Sequence, residues 1–394
     1  MDVTARPRVV MVVRLFAPWV GGMERQALKL ASEMNRSGLA EVRIVTGRWF
    51  RGTAVDEIVE GVPVHRHPAL FGEQSVRGRR KLGAIVYMLS LFVHLLRTRR
   101  SFSVIHVHGL SYHAAVCRLV SMITGAPMIV KLANAGDASD IAKMRRGQHL
   151  PGTRLLLGLA LGGDRYVALN PAIREELEAA GVSPVRIVDI PNGVDVPPLP
   201  RVPRRRGRLR LVYVGRLHAQ KSLDTVVHAL ALSRPSEDSG PGAVLDVIGD
   251  GPDRDRLETV VRDKRLEETV RFHGTSDRVE DFLLQADGLV LPSRAEGISN
   301  ALLEAMAHGV PGIVSDIAGN TSVVTDGRDG FVFPVGDAAG LARVLQRLTA
   351  DPSLIERAGT EALETARSRF SLPGVGARYR AEYEAMTDDG RAGG

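Results

Sequence analysis

Short apolar runs alternate with helix-like stretches twice along this chain, and a proline-rich segment separates the two series. Apolar runs bounded by Gly, Pro or polar residues are typical of strands buried on both faces, and helices between such strands indicate βαβ units around a parallel sheet. The separating segment, residues 191–208, has five prolines from Pro191 to Pro203, which exclude a long helix or a central strand. The chain is therefore predicted to be an α/β protein with two Rossmann-like domains.

The positions of the apolar runs give the predicted domain boundaries. Strands are expected at residues 8–14, 42–46, 104–108, 128–131, 166–169 and 187–190, with a helix at 22–37, and then at 209–215, 244–248, 270–273, 289–292, 312–315 and 331–333. The predicted parts are an N-terminal domain at 1–190, a linker at 191–208, a C-terminal domain at 209–370, and a helix or tail at 371–394 that can cross back to the N-terminal domain. Ligands bind beyond the carboxyl ends of parallel strands, so the expected site is a cleft across which the two domains face each other.

The composition is that of a globular protein, with 44% hydrophobic, 25% charged and 5% aromatic residues among 394. A chain of this length exceeds what one hydrophobic core usually serves, which agrees with two domains. The single cysteine, Cys117, cannot form an internal disulfide, and the N-terminal residues lack the apolar stretch of a secretory signal. A cytoplasmic location is expected.

The formal charge of +7 favours an anionic partner: nucleic acid, an anionic membrane surface or a phosphorylated substrate. Much of this charge is clustered at residues 77–81, 97–100 and 201–210. No aromatic residues of the kind that stack on bases are interleaved with these clusters, so nucleic-acid binding is not expected.

The apolar run from Leu82 to Leu96 has basic residues on both sides. A membrane span needs about 20 apolar residues, and this run is too short and contains His94. Two interpretations remain open: a core helix with basic ends, or an interfacial helix that rests on anionic lipid at the inner face of the membrane.

The segment at residues 291–311, LPSRAEGISNALLEAMAHGVP, is the most informative for function. A strand is expected to end just before the turn, and a helix to open near Ser299. Glu296 and Glu304 flank this helix start, where the first backbone amides lack intrahelical partners and favour an anion. The segment predicts a site that suits a diphosphate.

A second pattern, YVGRLHAQKSLDTVVHAL, begins at Tyr213. Arg216 follows a strand, and Lys221 precedes a helix capped by Ser222. Two cations five residues apart on a strand-to-helix turn can converge on one pyrophosphate and neutralise the charge that grows there.

Two patterns in the N-terminal half are weaker. Gly21 and Gly22 follow the first strand, and residues without side chains let the backbone approach a phosphate or a sugar closely. The strand that ends in IHVHG places His106 and His108 on one face, with His108 nearer the carboxyl end. No third metal ligand is evident beside this pair.

Together these motifs resemble the retaining glycosyltransferase family 4, which has the two-domain GT-B fold. The family's E-x7-E pattern is matched by Glu296 and Glu304, its G-R-x4-K element by Arg216 and Lys221, its G-G-x-E-R entry by residues 21–25, and its H-x-H strand end by His106 and His108. The resemblance extends from Arg8 to about Phe370.

The resemblance implies a role for each residue. Glu296 would contact hydroxyls of the donor sugar, the loop at 297–299 would contact sugar and phosphate, and Glu304 would hold the ribose hydroxyls. Arg216 and Lys221 would stabilise the leaving group, and His108 would lie against the donor sugar. The catalytic set is thus His108, Arg216, Lys221 and Glu296, and the donor-binding set is Gly21, Gly22, Gly297, Ile298, Ser299 and Glu304.

The resemblance also implies the reaction: transfer of a sugar from a nucleoside-diphosphate-sugar donor, bound by the C-terminal domain, to an acceptor on the N-terminal side. The anomeric configuration would be retained. Neither a metal ion nor another cofactor is expected, since Asp253-x-Asp255 falls in a turn and is interpreted as a solvated helix start. At residues 318–322, AGNTS replaces the family's frequent G-G-x-x-E and lacks its acid.

Other functions remain open on the same fold. A phosphorylase or a nucleotide-sugar epimerase is one, and a non-catalytic nucleotide-sugar-binding protein is another. The intact set of Arg216, Lys221, Glu296 and Glu304 favours an enzyme. The acceptor is not identified by the sequence: an envelope glycan or lipid precursor and a small natural product are both open.

Overall fold

The computed structural model describes residues 6–18, 21–69, 79–136, 139–147, 152–198, 208–233 and 242–392. The chain divides into two compact units, Met1–Gly193 together with Leu372–Gly394, and Val194–Ser371. Residues 77–78 of the first basic cluster lie outside the described residues, as do residues 199–207 of the predicted linker, which include most of the third cluster.

The first unit is built on an eight-stranded sheet. Its strands are β1 (Arg8–Val13), β2 (Glu41–Arg48), β3 (Asp56–Val59), β4 (Val62–Pro68), β5 (Val104–His108), β6 (Met128–Lys131), β7 (Arg165–Ala168) and β8 (Ile187–Asp189). They lie in the order β3-β4-β2-β1-β5-β6-β7-β8, and all neighbours are parallel except β3 and β4. The central strands β1 and β5 are almost entirely buried, as expected for strands covered on both faces.

The helices before the interdomain segment are α1 (Gly22–Ser37), α2 (Arg79–Arg97), α3 (Tyr112–Thr124), α4 (Asp140–Arg145), α5 (Thr153–Ala160) and α6 (Pro171–Ala179). Helix α1 shows how they form: Ala27, Leu30, Ala31 and Met34 recur at helical spacing and are buried in the core. The helix ends at Gly38, whose φ of 68° is the left-handed conformation that glycine adopts most easily.

The second unit is built on a six-stranded parallel sheet. Its strands are β9 (Leu209–Val214), β10 (Ala243–Ile248), β11 (Val270–Gly274), β12 (Gly288–Leu291), β13 (Gly312–Ser315) and β14 (Gly330–Phe333), in the order β11-β10-β9-β12-β13-β14. Its helices are α7 (Leu223–Leu232), α8 (Arg254–Asp263), α9 (Val279–Leu283), α10 (Asn300–Ala307), α11 (Ala318–Thr321), α12 (Ala338–Ala350) and α13 (Ser353–Phe370). The strand order reverses between β9 and β12, which makes that edge a topological switch point.

The last helix, α14 (Leu372–Ala392), belongs to the first unit. It adds Val375, Tyr379, Tyr383 and Met386 to the core that contains α1. The Tyr383 hydroxyl is hydrogen-bonded to Nδ1 of His106 at 2.7 Å, and both side chains are fully buried. The C-terminal segment therefore completes the core of the N-terminal sheet.

The predicted strands are all present, but the hairpin of β3 and β4 was not predicted. Its turn consists of Glu60 and Gly61, which both have positive φ angles, as a two-residue hairpin turn requires. Strand β4 begins at Val62, has a proline at its second position and is polar from His65 to His67, so its apolar pattern is weak. The apolar periodicity of the sequence therefore did not predict the β3–β4 hairpin.

Helix α2 contains the apolar run Leu82–Leu96 and has apolar side chains on both its buried face and its exposed face. Tyr87, Leu91 and Leu95 are buried, so the core-helix interpretation is confirmed for one face. The opposite face exposes Leu82, Ile85, Leu89 and Val93, at 41–62% relative accessibility. Within the described part of the chain, no helix has the length and hydropathy needed to cross a bilayer.

Candidate functional site

Two loops meet at the switch point of the second sheet. Strands β9 and β12 are neighbours in the sheet, although β10 and β11 separate them in sequence. Parallel strands have their carboxyl ends at one edge, so the turn after β9 and the loop after β12 lie side by side. The turn carries Arg216 and Lys221, and the loop carries Glu296. These three predicted residues therefore occupy one edge of one unit.

A salt bridge joins the two loops. Nζ of Lys221 donates to Oε1 of Glu296, and the Ser293 hydroxyl donates to the same oxygen at 2.7 Å. The side chains of Lys221 and Glu296 are only 23% and 10% exposed, so water screens their attraction less than on an open surface. The pair fixes an ammonium and a carboxylate at the edge where parallel sheets bind ligands.

Backbone and amide hydrogen bonds hold the same two loops together. Nε2 of Gln220 donates to the carbonyl of Ala295 at 2.7 Å, and the amide of Arg294 donates to the carbonyl of Gln220 at 2.9 Å. Nε of Arg294 donates to the Ser222 hydroxyl at 3.2 Å. The loops thus form one connected surface rather than two independent segments.

Ser222 is the N-cap residue of α7, as predicted, but its side chain does not cap the helix. Its backbone is left-handed, with φ of 50°, and its hydroxyl makes no capping bond. An N-cap side chain reaches the first free amides from an extended backbone, which this residue does not have. Its hydroxyl instead accepts from Arg294 and so helps to join the loops.

Arg216 is the exposed cation of the site. The Tyr213 hydroxyl donates to the carbonyl of Arg216 at 3.0 Å and so anchors its backbone. Tyr213 itself is buried, and burial raises the pKa of its hydroxyl above the usual range. No carboxylate among the described residues pairs with the Arg216 guanidinium, which leaves this cation available for an anionic ligand.

The N-terminus of α10 completes the edge. Ser299 is the N-cap, and its hydroxyl accepts from the amide of Leu302 at 3.4 Å. Gly297, Ile298 and Ser299 are buried in the turn that leads into the helix, where the positive end of the helix dipole favours an anion. Glu304 lies further along α10 and is half-buried. Both members of the Glu pair therefore belong to one loop-and-helix element.

The segment that departs from the family pattern, residues 318–322, packs against the backbone of the Glu296 loop. A Cβ atom at Gly319 would overlap the carbonyl oxygens of Glu296 and Gly297. Asn320 is fully buried and donates to the carbonyl of Ser315 at 3.0 Å. Glycine is thus required at 319 because the Glu296 loop packs directly on its backbone.

The remaining predicted residues lie in the first unit, at the carboxyl edge of β1 and β5. Gly21 is the N-cap of α1, and Gly22 is its first residue. Val13 of β1 pairs with His108 of β5, so the Gly21-Gly22 turn and His108 belong to the same edge. This edge is again a switch point, between β1 and β5.

His108 is fully buried, and both of its ring nitrogens lack a hydrogen-bond partner among the described residues. Its ring lies 4.5 Å from that of His106, centroid to centroid. Burial, followed by the fields of His106, Lys131 and His113, lowers the pKa of His108 well below its usual range. The imidazole is therefore neutral near pH 7 and can act there as a hydrogen-bonding group rather than as a cation.

Lys131 was missed by the sequence analysis as a residue of this edge. It is the last residue of β6 and pairs directly with His108 of β5. Burial lowers the pKa of its ammonium to about 7. The available signal was a lysine at the end of an otherwise apolar strand.

The Asp253-x-Asp255 pattern begins a helix, as interpreted from the sequence. Asp253 stands at the N-cap position of α8, and Asp255 lies in its first turn. The Asp253 carboxylate pairs with Arg256 at 3.2 Å. An ion pair and a helix start account for both acids.

Comparisons with known proteins agree with the two-unit division. The second unit matches the family described as "Glycosyl transferases group 1" over residues 208–351, and the first matches "Glycosyl transferase 4-like domain" over residues 21–193. The chain is 29% identical to the glycogen synthase of Mycobacterium tuberculosis over 92% of this chain and 91% of the relative.

Two solved structures share the fold over nearly the whole chain. Sucrose-phosphate synthase from Thermosynechococcus elongatus has a TM-score of 0.78 and 20% identity, covering 98% of this chain and all of that one. Anabaena HepE, in complex with UDP and glucose, has a TM-score of 0.72 and 17% identity, covering 96% and 100%. The predicted GT-B fold, with its two Rossmann-like domains, is confirmed.

The packing under the Glu296 loop gives a stability prediction. We expect Gly319→Ala to lower the free energy of unfolding by about 1–3 kcal/mol, because the added methyl group must displace a backbone loop. Gly242→Ala is the matched control, since among the described residues a Cβ there would meet only Thr349, at 3.8 Å. Urea denaturation measures both variants, and equal stabilities would contradict the packing assigned to Gly319.

Proposed function

The chain belongs to the group 1 glycosyltransferases, and on that premise we propose that it transfers a sugar from a nucleoside-diphosphate-sugar donor with retention of the anomeric configuration. The observation that carries the proposal is the contact between Lys221 and Glu296, beside Arg216 and the N-terminus of α10. A carboxylate, two cations and a helix N-terminus at one switch point match the parts of such a donor: sugar hydroxyls and a diphosphate.

In this proposal each part of the donor has its own partner. Glu304 holds the ribose hydroxyls, and Glu296 accepts from hydroxyls of the sugar, because a carboxylate binds vicinal hydroxyls with geometric selectivity. The amides at 297–299 contact the sugar and the phosphates. The complex of Anabaena HepE with UDP and glucose makes a uridine donor a reasonable first choice for testing.

The transfer step needs charge stabilisation at the leaving group. The bond between the anomeric carbon and the phosphate oxygen breaks, and the acceptor oxygen bonds to that carbon on the same face. The acceptor proton passes to the departing phosphate, and the nucleoside diphosphate leaves. Arg216 and Lys221 neutralise the charge that grows on it, so we propose that this step uses no divalent ion.

The Lys221–Glu296 contact holds the ammonium and the carboxylate in position before the donor binds. Each side chain is held in place by the other before a donor arrives, so less ordering is required when the donor binds. On donor binding, we propose, the ammonium turns to the diphosphate and the carboxylate to the sugar. His108, neutral and without a partner among the described residues, is proposed to accept or donate one hydrogen bond to the sugar.

The first test separates the two acids. We expect Glu304→Gln to weaken the binding of the free nucleotide, since it removes a ribose contact. Glu296→Gln should lower turnover while the nucleotide still binds, because its contact is with the sugar. Calorimetry with UDP and steady-state kinetics with UDP-sugars measure the two effects. Equal loss of nucleotide affinity in both variants would contradict the assigned roles.

The second test addresses the cations. We expect Arg216→Ala and Lys221→Ala each to lower kcat by roughly 10²–10³-fold, as is typical when one stabiliser of developing charge is removed. Arg343→Ala, an exposed arginine of the same unit, is the control. Activity should persist in EDTA at a temperature where the protein stays folded. Loss of activity in EDTA that magnesium or manganese restores would refute a metal-free transfer.

The same experiments discriminate the alternatives. A non-catalytic nucleotide-sugar-binding protein would bind UDP with the same dependence on Glu304 but would neither transfer sugar nor hydrolyse the donor. Glycogen synthase and sucrose-phosphate synthase build different products on this fold, so the acceptor does not follow from the likeness. Envelope glycans, lipid precursors and small natural products are proposed for the acceptor screen.

We further propose that α2 rests on anionic membrane when the acceptor is a lipid. Its exposed stripe of Leu82, Ile85, Leu89 and Val93 lies on one face of the helix. Arg97, Arg99 and Arg100, at its C-terminal end, are exposed. An apolar face beside basic residues is typical of an interfacial helix.

Vesicle co-sedimentation tests the membrane proposal. We expect binding to vesicles that contain phosphatidylglycerol and a steep loss with salt, since each basic residue contributes about 1 kcal/mol, screened over about 8 Å. Changing Arg97, Arg99 and Arg100 to Gln should weaken binding more than the same change at Arg278, Arg328 and Arg343, which are exposed on the second unit. No preference for the anionic vesicles would eliminate the proposal.

A further inference from the structure

Three histidines of the first unit converge outside the residues assigned to transfer. His65 and His67 are two residues apart on β4, so their side chains share a face of the sheet, and His94 of α2 lies over that face. One ring nitrogen of each residue lies within 4.8 Å of the others. The rings of His65 and His94 are stacked, with centroids 4.4 Å apart.

The buried member of this cluster lacks a partner. His67 is 2% exposed, and its Nε2 is buried without a hydrogen-bond partner among the described residues. Leaving a buried polar nitrogen unpaired is unfavourable, so the site is more stable when something binds there. The pKa of His67 is lowered to about 3, mainly by burial, so its ring is neutral near pH 7 and has a lone pair available.

A carboxylate orients a second member. Nδ1 of His65 donates to Oδ1 of Asp56 on β3 at 2.6 Å, which leaves Nε2 of His65 as the lone-pair nitrogen. Metal-binding histidines in proteins usually donate their other ring nitrogen to a carboxylate in this way. His94 is also neutral near pH 7, because burial is the main cause that lowers its pKa to about 4.

We infer that His65, His67 and His94 form a binding site for one divalent transition-metal ion, with Zn²⁺ as the ion that fits best. Neutral imidazoles are favoured ligands of Zn²⁺, which accepts three of them with a water in the fourth position. Zinc–nitrogen bonds of 2.0–2.1 Å place ligand nitrogens about 3.3 Å apart in a tetrahedral site. The ring nitrogens, which now lie within 4.8 Å of one another, must therefore approach by up to about 1.5 Å to close on an ion.

The charges around the cluster leave room for a cation. The guanidinium of Arg43 on β2, which donates to the carbonyl of Ser101 at 2.6 Å, opposes a cation, since its field contributes to the lowered pKa of His94. Asp56 supplies the compensating negative charge next to His65. An ion here would join the β3–β4 hairpin to α2, so its role is structural.

The test uses tag-free, chelator-treated full-length protein and calorimetric titration with Zn²⁺. We expect one ion per chain and a Zn²⁺-dependent rise in Tm. His94→Gln should weaken binding at least about 100-fold, and Asp56→Asn, which keeps all three ligands, about 10- to 100-fold. His228→Gln, on α7 of the second unit, is the matched control and should bind as the wild type does.

Co²⁺ loading provides an independent reading. The wild type should show the intense visible absorption of tetrahedral Co²⁺, and His67→Gln and His94→Gln should lose it while circular dichroism shows that they remain folded. Asp56→Asn changes an exposed side chain and leaves all three histidines in place. It therefore remains informative if a buried-histidine variant fails to fold. Stoichiometry well below one, or equal affinities of His94→Gln and His228→Gln, would overturn the inference and identify the cluster as stacked neutral histidines.

Discussion

The reversal of strand order between β9 and β12 is the constraint on which the candidate site depends. It places two loops from distant parts of the sequence at one sheet edge, where the Lys221–Glu296 salt bridge joins them. Both side chains are only slightly exposed, so breaking the pair would leave a poorly hydrated, unpaired charge. This favours a single arrangement of the loops. The backbone of Gly319 also packs against the carbonyl oxygens of Glu296 and Gly297, which supports the loop that carries the carboxylate.

The sheets could be predicted because their strands are buried on both faces. In β1 and β12 nearly every residue is buried, so the sequence there is an almost continuous apolar run. The hairpin of β3 and β4 lies at an edge and alternates exposed with buried residues over only a few positions. A pattern that short does not stand out from a polar loop, and the turn at Glu60 carries no strong signal.

The site residues were predictable as a set of motifs, but their contacts were not. That Lys221 follows one strand and Glu296 another is visible in the sequence, whereas their salt bridge depends on which strands are neighbours. The role of Gly319 could not be predicted for the same reason, since the sequence spacing of residues does not show which backbone segments pack closely together. The roles of all these residues in binding a donor or in transfer stay predictions. The histidine cluster was missed because two of its members lie on the hairpin that periodicity did not reveal.

The proposed transfer and the proposed metal binding place positive charge at different sites, one in each unit. At the switch point of the second unit, Arg216 and Lys221 already supply positive charge, so a divalent ion there would meet repulsion from both. In the first unit, burial keeps His67 and His94 neutral, and their nitrogens can bind a divalent ion, with Asp56 offsetting the field of Arg43. A metal ion bound by the histidines would thus stabilise the hairpin against α2 and take no part in neutralising the leaving group. Chelation is therefore expected to act on the stability of the first unit rather than on the chemical step.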